Sequence, residues 1–418
     1  MLSLAHHQSH PVIASGWKLS LRLVTAALAV CVSLSLSDVY IFAQTLTVLH
    51  TFNQGDGESP NGALFRDSAG NLYGTTTYGG KSGFGTVYKL DVAGNFSKLY
   101  QFAGSPSDGA YPNGSLTHDA AGNFYGTTSQ GGATNAGTIF MLNTHTGKET
   151  VLYSFVANSS DGMWPYTGLT RDAVGNFYGV ASVDGLYGGG IVFKLDRART
   201  VHILHNFSGN STDGLYPYGV LLLSKGKLHG TTSFGGTSNL GTVFVIDQSG
   251  ETVLFDFAGT AGEFPFAGLI TDAAGNFYGT TQYGGDLSCN ALSSGCGTVF
   301  KLDANGNQTV LYSFLGSPDG DDAAPGLVLD PGGNLYGATA YGGAGTCQNS
   351  PFIGCGTLFK VDQNGHETVL FNFTGGADGK YPFGTLIRDS GGNLYGSATQ
   401  GGSGCHQSGC GTVFKLTP

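Results

Sequence analysis

Short runs of apolar and β-branched residues recur along this chain, each closed by Gly, Asp or Asn, and nothing between them keeps a helical period for a helix's length. Four kinds of run follow one another in fixed order. The first is apolar and stops at a turn, as in residues 384–389 (GTLIRD). The second is Gly-Asn-Leu-Tyr-Gly-Thr-Thr. The third reads GTVFKL at 297–302 and 411–416, and the fourth reads TVLYSF at 150–155 and 309–314. Val, Thr, Tyr and Phe dominate all four. Each run therefore predicts a short strand, whose branched and aromatic side chains suit a pleated, half-buried surface.

The set repeats. Its centre occurs as Asn71-Leu72-Tyr73-Gly74, Asn123-Phe124-Tyr125-Gly126, Asn176-Phe177-Tyr178-Gly179, the variant Lys227-Leu228-His229-Gly230, Asn276-Phe277-Tyr278-Gly279, Asn334-Leu335-Tyr336-Gly337 and Asn393-Leu394-Tyr395-Gly396. The closing glycines advance by steps of 49 to 59 residues. Four strands in a repeat of about fifty residues is the arithmetic of a propeller blade. The chain is predicted to be all-β, a seven-bladed β-propeller of four-stranded blades. Its last repeat stops after the third strand, at Leu416, and the missing fourth strand stands at the other end, in residues 47–52 (TVLHTF). The ring should close by the N-terminal strand completing the last blade, which hides an edge otherwise free to pair with other chains. An open solenoid offers no reason for that exchange.

Residues 45–418 thus read as one propeller domain, and residues 1–44 as something else. Lys18 and Arg22 precede an apolar run at 23–36 (LVTAALAVCVSLSL), and Ala43-Gln44 follows. This is the pattern of a secretory signal peptide cut near Ala43; the run is short of the roughly 20 residues of a membrane span. No second apolar segment exists, so the mature chain is expected to be soluble, monomeric and secreted, either extracellular or at the cell surface.

Composition sharpens the picture. Gly supplies 71 of 418 residues, against a usual level of about 7%, and there are 27 Phe and 20 Tyr with only 11% charged residues. A disordered chain would be poor in aromatics and rich in charge. The net charge is −10, and no Lys/Arg cluster is present to neutralise phosphates. Nucleic acid and anionic membrane surfaces are therefore not expected partners.

The repeat Asp-x-x-Gly-Asn-Leu/Phe-Tyr-Gly-Thr-Thr, then Gly-Gly, Gly-Thr-Val-Phe-Lys-Leu and Thr-Val-Leu-Tyr-Ser-Phe, resembles the GloVer tandem repeat of bacterial "choice-of-anchor" exported proteins over residues 45 to 418. The resemblance implies export and a propeller-like array. It implies no reaction, because the family is defined by its repeat. No sorting or anchor segment follows Pro418, so the resemblance does not carry surface attachment over to this sequence.

With four strands per blade, loops alternate between two faces. The turns from first to second and third to fourth strand are tight, as in Asp67-Ser68-Ala69-Gly70-Asn71 and Asp303-Ala304-Asn305-Gly306, where Gly supplies a positive φ. The other face carries the longer, more varied loops, where binding residues concentrate. Those between blades contain Asp-Gly-x-x-Pro: Asp56-Gly57, Asp108 with Tyr111, Asp161 with Trp164, Asp213 with Tyr216, and Asp378 with Tyr381. The fifth repeat has Ala261-Gly262-Glu263-Phe264-Pro265 instead, and the sixth Asp319-Gly320-Asp321-Asp322. These eight Asp and aromatic positions from 108 to 381 are the candidate binding residues, suited to a sugar or a cation. The same pattern also serves a turn, in which Asp accepts a local backbone bond and Pro stiffens the approach. Trp164 is the one Trp outside the leader and a candidate for stacking on a sugar. The three carboxylates of 319–322 lack the spacing of an EF-hand loop.

Cys31 lies in the leader. The remaining six cysteines form three local pairs, Cys289/Cys296, Cys347/Cys355 and Cys405/Cys410, in equivalent loops, with the second Cys directly before Gly-Thr. Equivalent placement and export favour three disulfides over a metal site, and His406 beside Cys405 reads as a solvated histidine. No Gly-x-Ser-x-Gly elbow or phosphate loop is present, and His229, where the repeat has Tyr, reads as a tolerated swap. No catalytic residue, metal or cofactor is predicted. The expected function is a binding scaffold for an extracellular glycan or protein. The alternatives are a polysaccharide-active hydrolase or lyase using carboxylates on the loop-rich face, and a structural cell-surface or matrix component.

Overall fold

The computed structural model describes residues 44–289, 294–323, 326–349, 352–405 and 408–418. Cys31, in the segment read as a signal peptide, and His406 lie outside them. Among the described residues, no helix is long and apolar enough to cross a membrane.

Seven antiparallel blades form, each with four strands in sequential order from the inner to the outer edge. Blade 1 runs Phe65–Arg66, Leu72–Thr76, Thr86–Leu90 and Phe96–Gln101. Blade 4 adds a fifth strand, Gly214–Pro217, beside Lys227–Gly235. Blade 7 takes Ile387–Arg388, Leu394–Ala398 and Thr412–Thr417, and its outer strand is Thr45–Thr51 from the other end of the domain. The pairing runs from Thr45 opposite Thr417 to Thr51 opposite Thr412. The N-terminal strand therefore closes the ring as predicted.

The repeat's glycine has a packing role. Gly126 lies opposite Phe140 across the second and third strands of blade 2. A Cβ at Gly126 would stand 2.8 Å from the Phe140 ring, so only Gly lets that ring lie flat over the strand. Tyr88 and Gly74 share this relation in blade 1.

The core lies between blades. Each outer strand carries a bulge, as between Val48 and His50 or Lys98 and Tyr100, closed by an aromatic or His and, two residues on, a Phe. Those Phe residues, from Phe52 and Phe102 to Phe314 and Phe373, are fully buried. Each meets the third-strand ring of the next blade: Phe102–Phe140 at 5.1 Å, Phe155–Phe193 at 5.4 Å and Phe314–Phe359 at 4.9 Å. Edge-to-face pairs of this kind add about 0.5–1.5 kcal/mol beyond burial. The blades are thus joined by a circular series of aromatic contacts.

On the tight-turn face, Asp67 accepts bonds from the Asn71 backbone and side chain, both at 2.8 Å, and from the Tyr73 hydroxyl at 3.2 Å. The Asp-x-x-Gly-Asn-x-Tyr motif is this closed turn. It recurs at Asp119, Asp172, Asp272, Asp330 and Asp389. Burial opposes the charge on Asp67, yet the bonds from Asn71 and Tyr73 hold its carboxyl below the usual range. Burial, then the Asp67 charge, push Tyr73 up to about 12. Blade 4 lacks the Asp, and there His229 packs against Phe277 at 4.5 Å, buried, with burial lowering its proton affinity.

Candidate functional site

The loops between blades and the loops after each second strand meet on one face. They pair as Glu58 with Tyr78, Met163 with Val183, Glu263 with Tyr283 and Lys380 with Gln400, and as short two-strand ladders at Gly109–Ala110 and Gly320–Asp321. The alternation of faces read from strand number therefore holds.

The candidate carboxylates of this face are engaged in their own turns. Asp108, 5% exposed, accepts from the Tyr100 hydroxyl at 2.9 Å and from the Ala103 and Gly109 amides at 2.6 Å. Asp161 accepts from the Tyr153 hydroxyl at 2.6 Å and from Ser159. Asp213 accepts from the Ser208 amide and hydroxyl at 2.7 Å, with His205 Nε2 at 3.0 Å. Asp378 accepts from the Thr374 amide and hydroxyl. The run at 319–322 does not converge on a point: Asp319 accepts from Tyr312 and the Leu315 amide, whereas Asp322 accepts from Gln282 Nε2 at 3.0 Å. Burial pushes Asp321 up to about 6.

The candidate aromatics share an uncommon backbone. Tyr111, Trp164, Tyr216 and Tyr381 have φ of 60°, 60°, 57° and 57°, and Ser59, Phe264 and Asp322 fill the same place with 55°, 55° and 62°. A bulky residue at positive φ is strained and persists only where its surroundings fix it. Here both backbone groups are held: the Tyr111 amide donates to Phe84 and its carbonyl accepts from Ser129. The equivalent amides of Asp322, Tyr381 and Ser59 donate to the carbonyls of Cys296, Cys355 and Cys410.

All three expected disulfides form, with Cα–Cα distances of 6.0, 5.1 and 5.4 Å for Cys289–Cys296, Cys347–Cys355 and Cys405–Cys410. Each bridge therefore fixes a cysteine whose carbonyl anchors the next blade's entry.

The αL turn sends the chain inward, and the residues just after it reach the axis. A cavity of about 750 Å³ opens there, lined from all seven blades. Its aromatic wall is an arc, Tyr166–Tyr218 at 5.8 Å and Tyr218–Phe266 at 5.1 Å, with Phe383, Tyr78 and Tyr111 further round. Amide and hydroxyl groups of Asn61, Asn113, Ser129, Gln130 and Gln282 complete it. No Asp, Glu, His, Lys or Arg is among the described lining residues. Burial raises the proton affinity of the Tyr166 and Tyr218 hydroxyls, so the wall stays neutral at ordinary pH. Small residues let the blades crowd the axis: a Cβ on Gly114 would stand 2.4 Å from the backbone of Thr167 and Gly168.

Of the eight residues singled out from the sequence, Tyr111 lines this cavity; Trp164 lies beside it, its ring 6.4 Å from that of Tyr166. The arc itself was missed. Its signal was the variable residue after Pro, namely Asn61, Asn113, Tyr166, Tyr218, Phe266 and Phe383.

Among solved structures, the chain is similar to virginiamycin B lyase from Staphylococcus aureus, at 16% identity and a TM-score of 0.58, with 90% of this chain and 99% of that one covered. It is also similar to the extracellular domain of a putative one component system from B. thetaiotaomicron, at 9% identity and a TM-score of 0.55. In that case 88% of this chain but only 39% of the other is covered. Likeness at these identities shows the propeller fold alone. Among curated proteins none matches. The Gloeobacter/Verrucomicrobia repeat matches at residues 37–211 and 288–418, and the unmatched stretch contains the divergent fourth blade. On that match, and on blades that each carry the repeat, the chain belongs to the Gloeobacter/Verrucomicrobia repeat family.

Proposed function

We propose that this protein is an extracellular binding module whose axial cavity takes a neutral glycan. The observation that carries this reading is the Tyr166–Tyr218–Phe266 arc facing amides and hydroxyls without a charged group. Aromatic faces pack against the apolar faces of sugar rings, and amides and hydroxyls exchange hydrogen bonds with their edges. The volume lies within the roughly 300–1,000 Å³ usual for small-molecule sites. Three disulfides support an oxidising, extracytoplasmic setting. The hydrolase or lyase reading needs carboxylates free at the cavity, and those of the blade-to-blade turns are bonded within their own loops.

Trp164 provides the test, because its ring is close to Tyr166 and no other Trp lies in residues 45–418. Neutral oligosaccharides titrated into the protein should change Trp164 fluorescence saturably. Tyr218→Ala should weaken binding at least tenfold while leaving the far-UV circular dichroism unchanged. Silence across a broad glycan panel, or unchanged affinity in a Tyr166→Ala, Tyr218→Ala double variant, would overturn the reading. Equal affinity for acidic glycans would overturn the neutral assignment.

A further inference from the structure

At three of the seven blade junctions, two carboxyl groups lie within electrostatic reach of each other. The Asp of the blade-to-blade turn faces a Glu at the start of the next blade's outer strand: Asp108 with Glu149, Asp213 with Glu251, and Asp319 with Glu367. The Glu position, opposite the end of the third strand, is Phe96, Val201, Gln308 and Leu46 in the other blades. A third group completes each cluster from the preceding blade. It is a hydroxyl at two junctions, Tyr100 and Tyr312. Between blades 3 and 4 it is an imidazole, His205, with Nε2 3.0 Å from Asp213 Oδ1.

That exchange changes the chemistry. One donor atom each from His205, Asp213 and Glu251 lies within 4.8 Å of the others. In a tetrahedral zinc site, ligand atoms stand roughly 3.4 Å apart, so the three need close by no more than about 1.4 Å. Glu251 Oε1 is fully buried and has no hydrogen-bond partner. Among the described ion pairs, no Lys or Arg reaches Asp213 or Glu251. Asp213 is itself fixed through Oδ2 by Ser208, the outer bond that orients a ligating carboxylate. One nitrogen and two carboxylate oxygens suit a borderline divalent ion rather than calcium, which takes six to eight oxygens.

We propose that His205, Asp213 and Glu251 form a divalent transition-metal site of the zinc class that ties blade 3 to blade 4. It is distinct from the axial cavity and does not rest on what that cavity binds. The ion sits between the outer strands of blades 3 and 4 and the loop that leads from blade 3 into blade 4, so it supports the ring and leaves the cavity wall untouched.

Zn²⁺ alone is the probe, titrated calorimetrically into untagged mature protein, with melting followed in parallel. One equivalent should bind and raise the melting temperature. Glu251→Gln and His205→Tyr should each weaken binding at least tenfold and abolish the rise. The second variant puts in place the side chain that three other junctions carry, Tyr100, Tyr153 and Tyr312, so it is expected to fold. Tyr100→His should add a second equivalent, beside Asp108 and Glu149. Zn²⁺ affinity unchanged in His205→Tyr, Ca²⁺ binding tighter than Zn²⁺, or a single equivalent in Tyr100→His would each overturn the proposal.

Discussion

The ring of Phe52, the residue directly after the N-terminal strand, packs edge-on against Tyr88 of blade 1 at 5.1 Å, both fully buried. This is the same contact that Phe102 makes with Phe140 and Phe373 with Phe414. It differs in joining the two ends of the domain. The first strand therefore does two things at once: its backbone completes blade 7, and its terminal ring seals blade 7 to blade 1. Ser59, seven residues on, adds a backbone bond to Cys410.

Removing residues 45–52 should destabilise the domain far beyond what eight residues suggest, since an edge is exposed and a core ring is lost. Phe52→Ala isolates the second effect and should cost about 3–5 kcal/mol, read from chemical denaturation. A truncated protein that unfolds at the same denaturant concentration as residues 45–418 would show that the ring does not depend on this strand.

The disulfides should act locally. Closing loops of this size contributes roughly 2–2.5 kcal/mol each in the chain-entropy model. Non-reducing peptide mapping should recover Cys289–Cys296, Cys347–Cys355 and Cys405–Cys410. Reduction should raise amide exchange in these loops and at Asp322, Tyr381 and Ser59, whose amides bond the second cysteines. The β signal in far-UV circular dichroism should persist. Global unfolding on reduction would show that the ring leans on the bridges more than their placement suggests.

Stability should fall as pH rises from about 5 to 8. Burial, then the nearby Asp108, push Glu149 up to about 8; burial, then Asp319, push Glu367 up to about 7. The folded chain thus holds protons there that the unfolded chain releases above about pH 4.3, so raising the pH favours unfolding. The opposite sign applies to Asp67 and its five counterparts, whose lowered values stabilise above the ordinary carboxyl range and cease to as pH falls through it. Melting curves should peak near pH 5. The Glu149→Gln, Glu367→Gln double variant should flatten the decline towards pH 8; an unchanged slope would show that these pairs do not control it.

The repeat period, the four strands and the exchange of the first strand were all legible in the linear pattern, because a strand's alternation and its turn residues are local properties. So were the disulfides, whose cysteines are close in sequence and equivalent in three repeats. The reason for the repeated Gly-Asn-x-Tyr-Gly was not, since it lies across strands: Gly126 makes room for Phe140, and Asp119 gathers Asn123 and Tyr125. That the longer loops share one face was also legible, from strand parity. Which side chains reach the axis depended on the αL turn at Tyr111 and its equivalents, a backbone reversal that a bulky residue adopts only under tertiary constraint. That turn leaves the conspicuous Tyr216 and Tyr381 off the cavity lining and aims their inconspicuous successors, Tyr218 and Phe383, at it. The His205–Asp213–Glu251 cluster likewise joins residues of two blades and the loop between them. The sequence alone determined the strands and their closure into a ring; only packing between blades decided which side chains share a site, because that proximity exists only once the ring has closed.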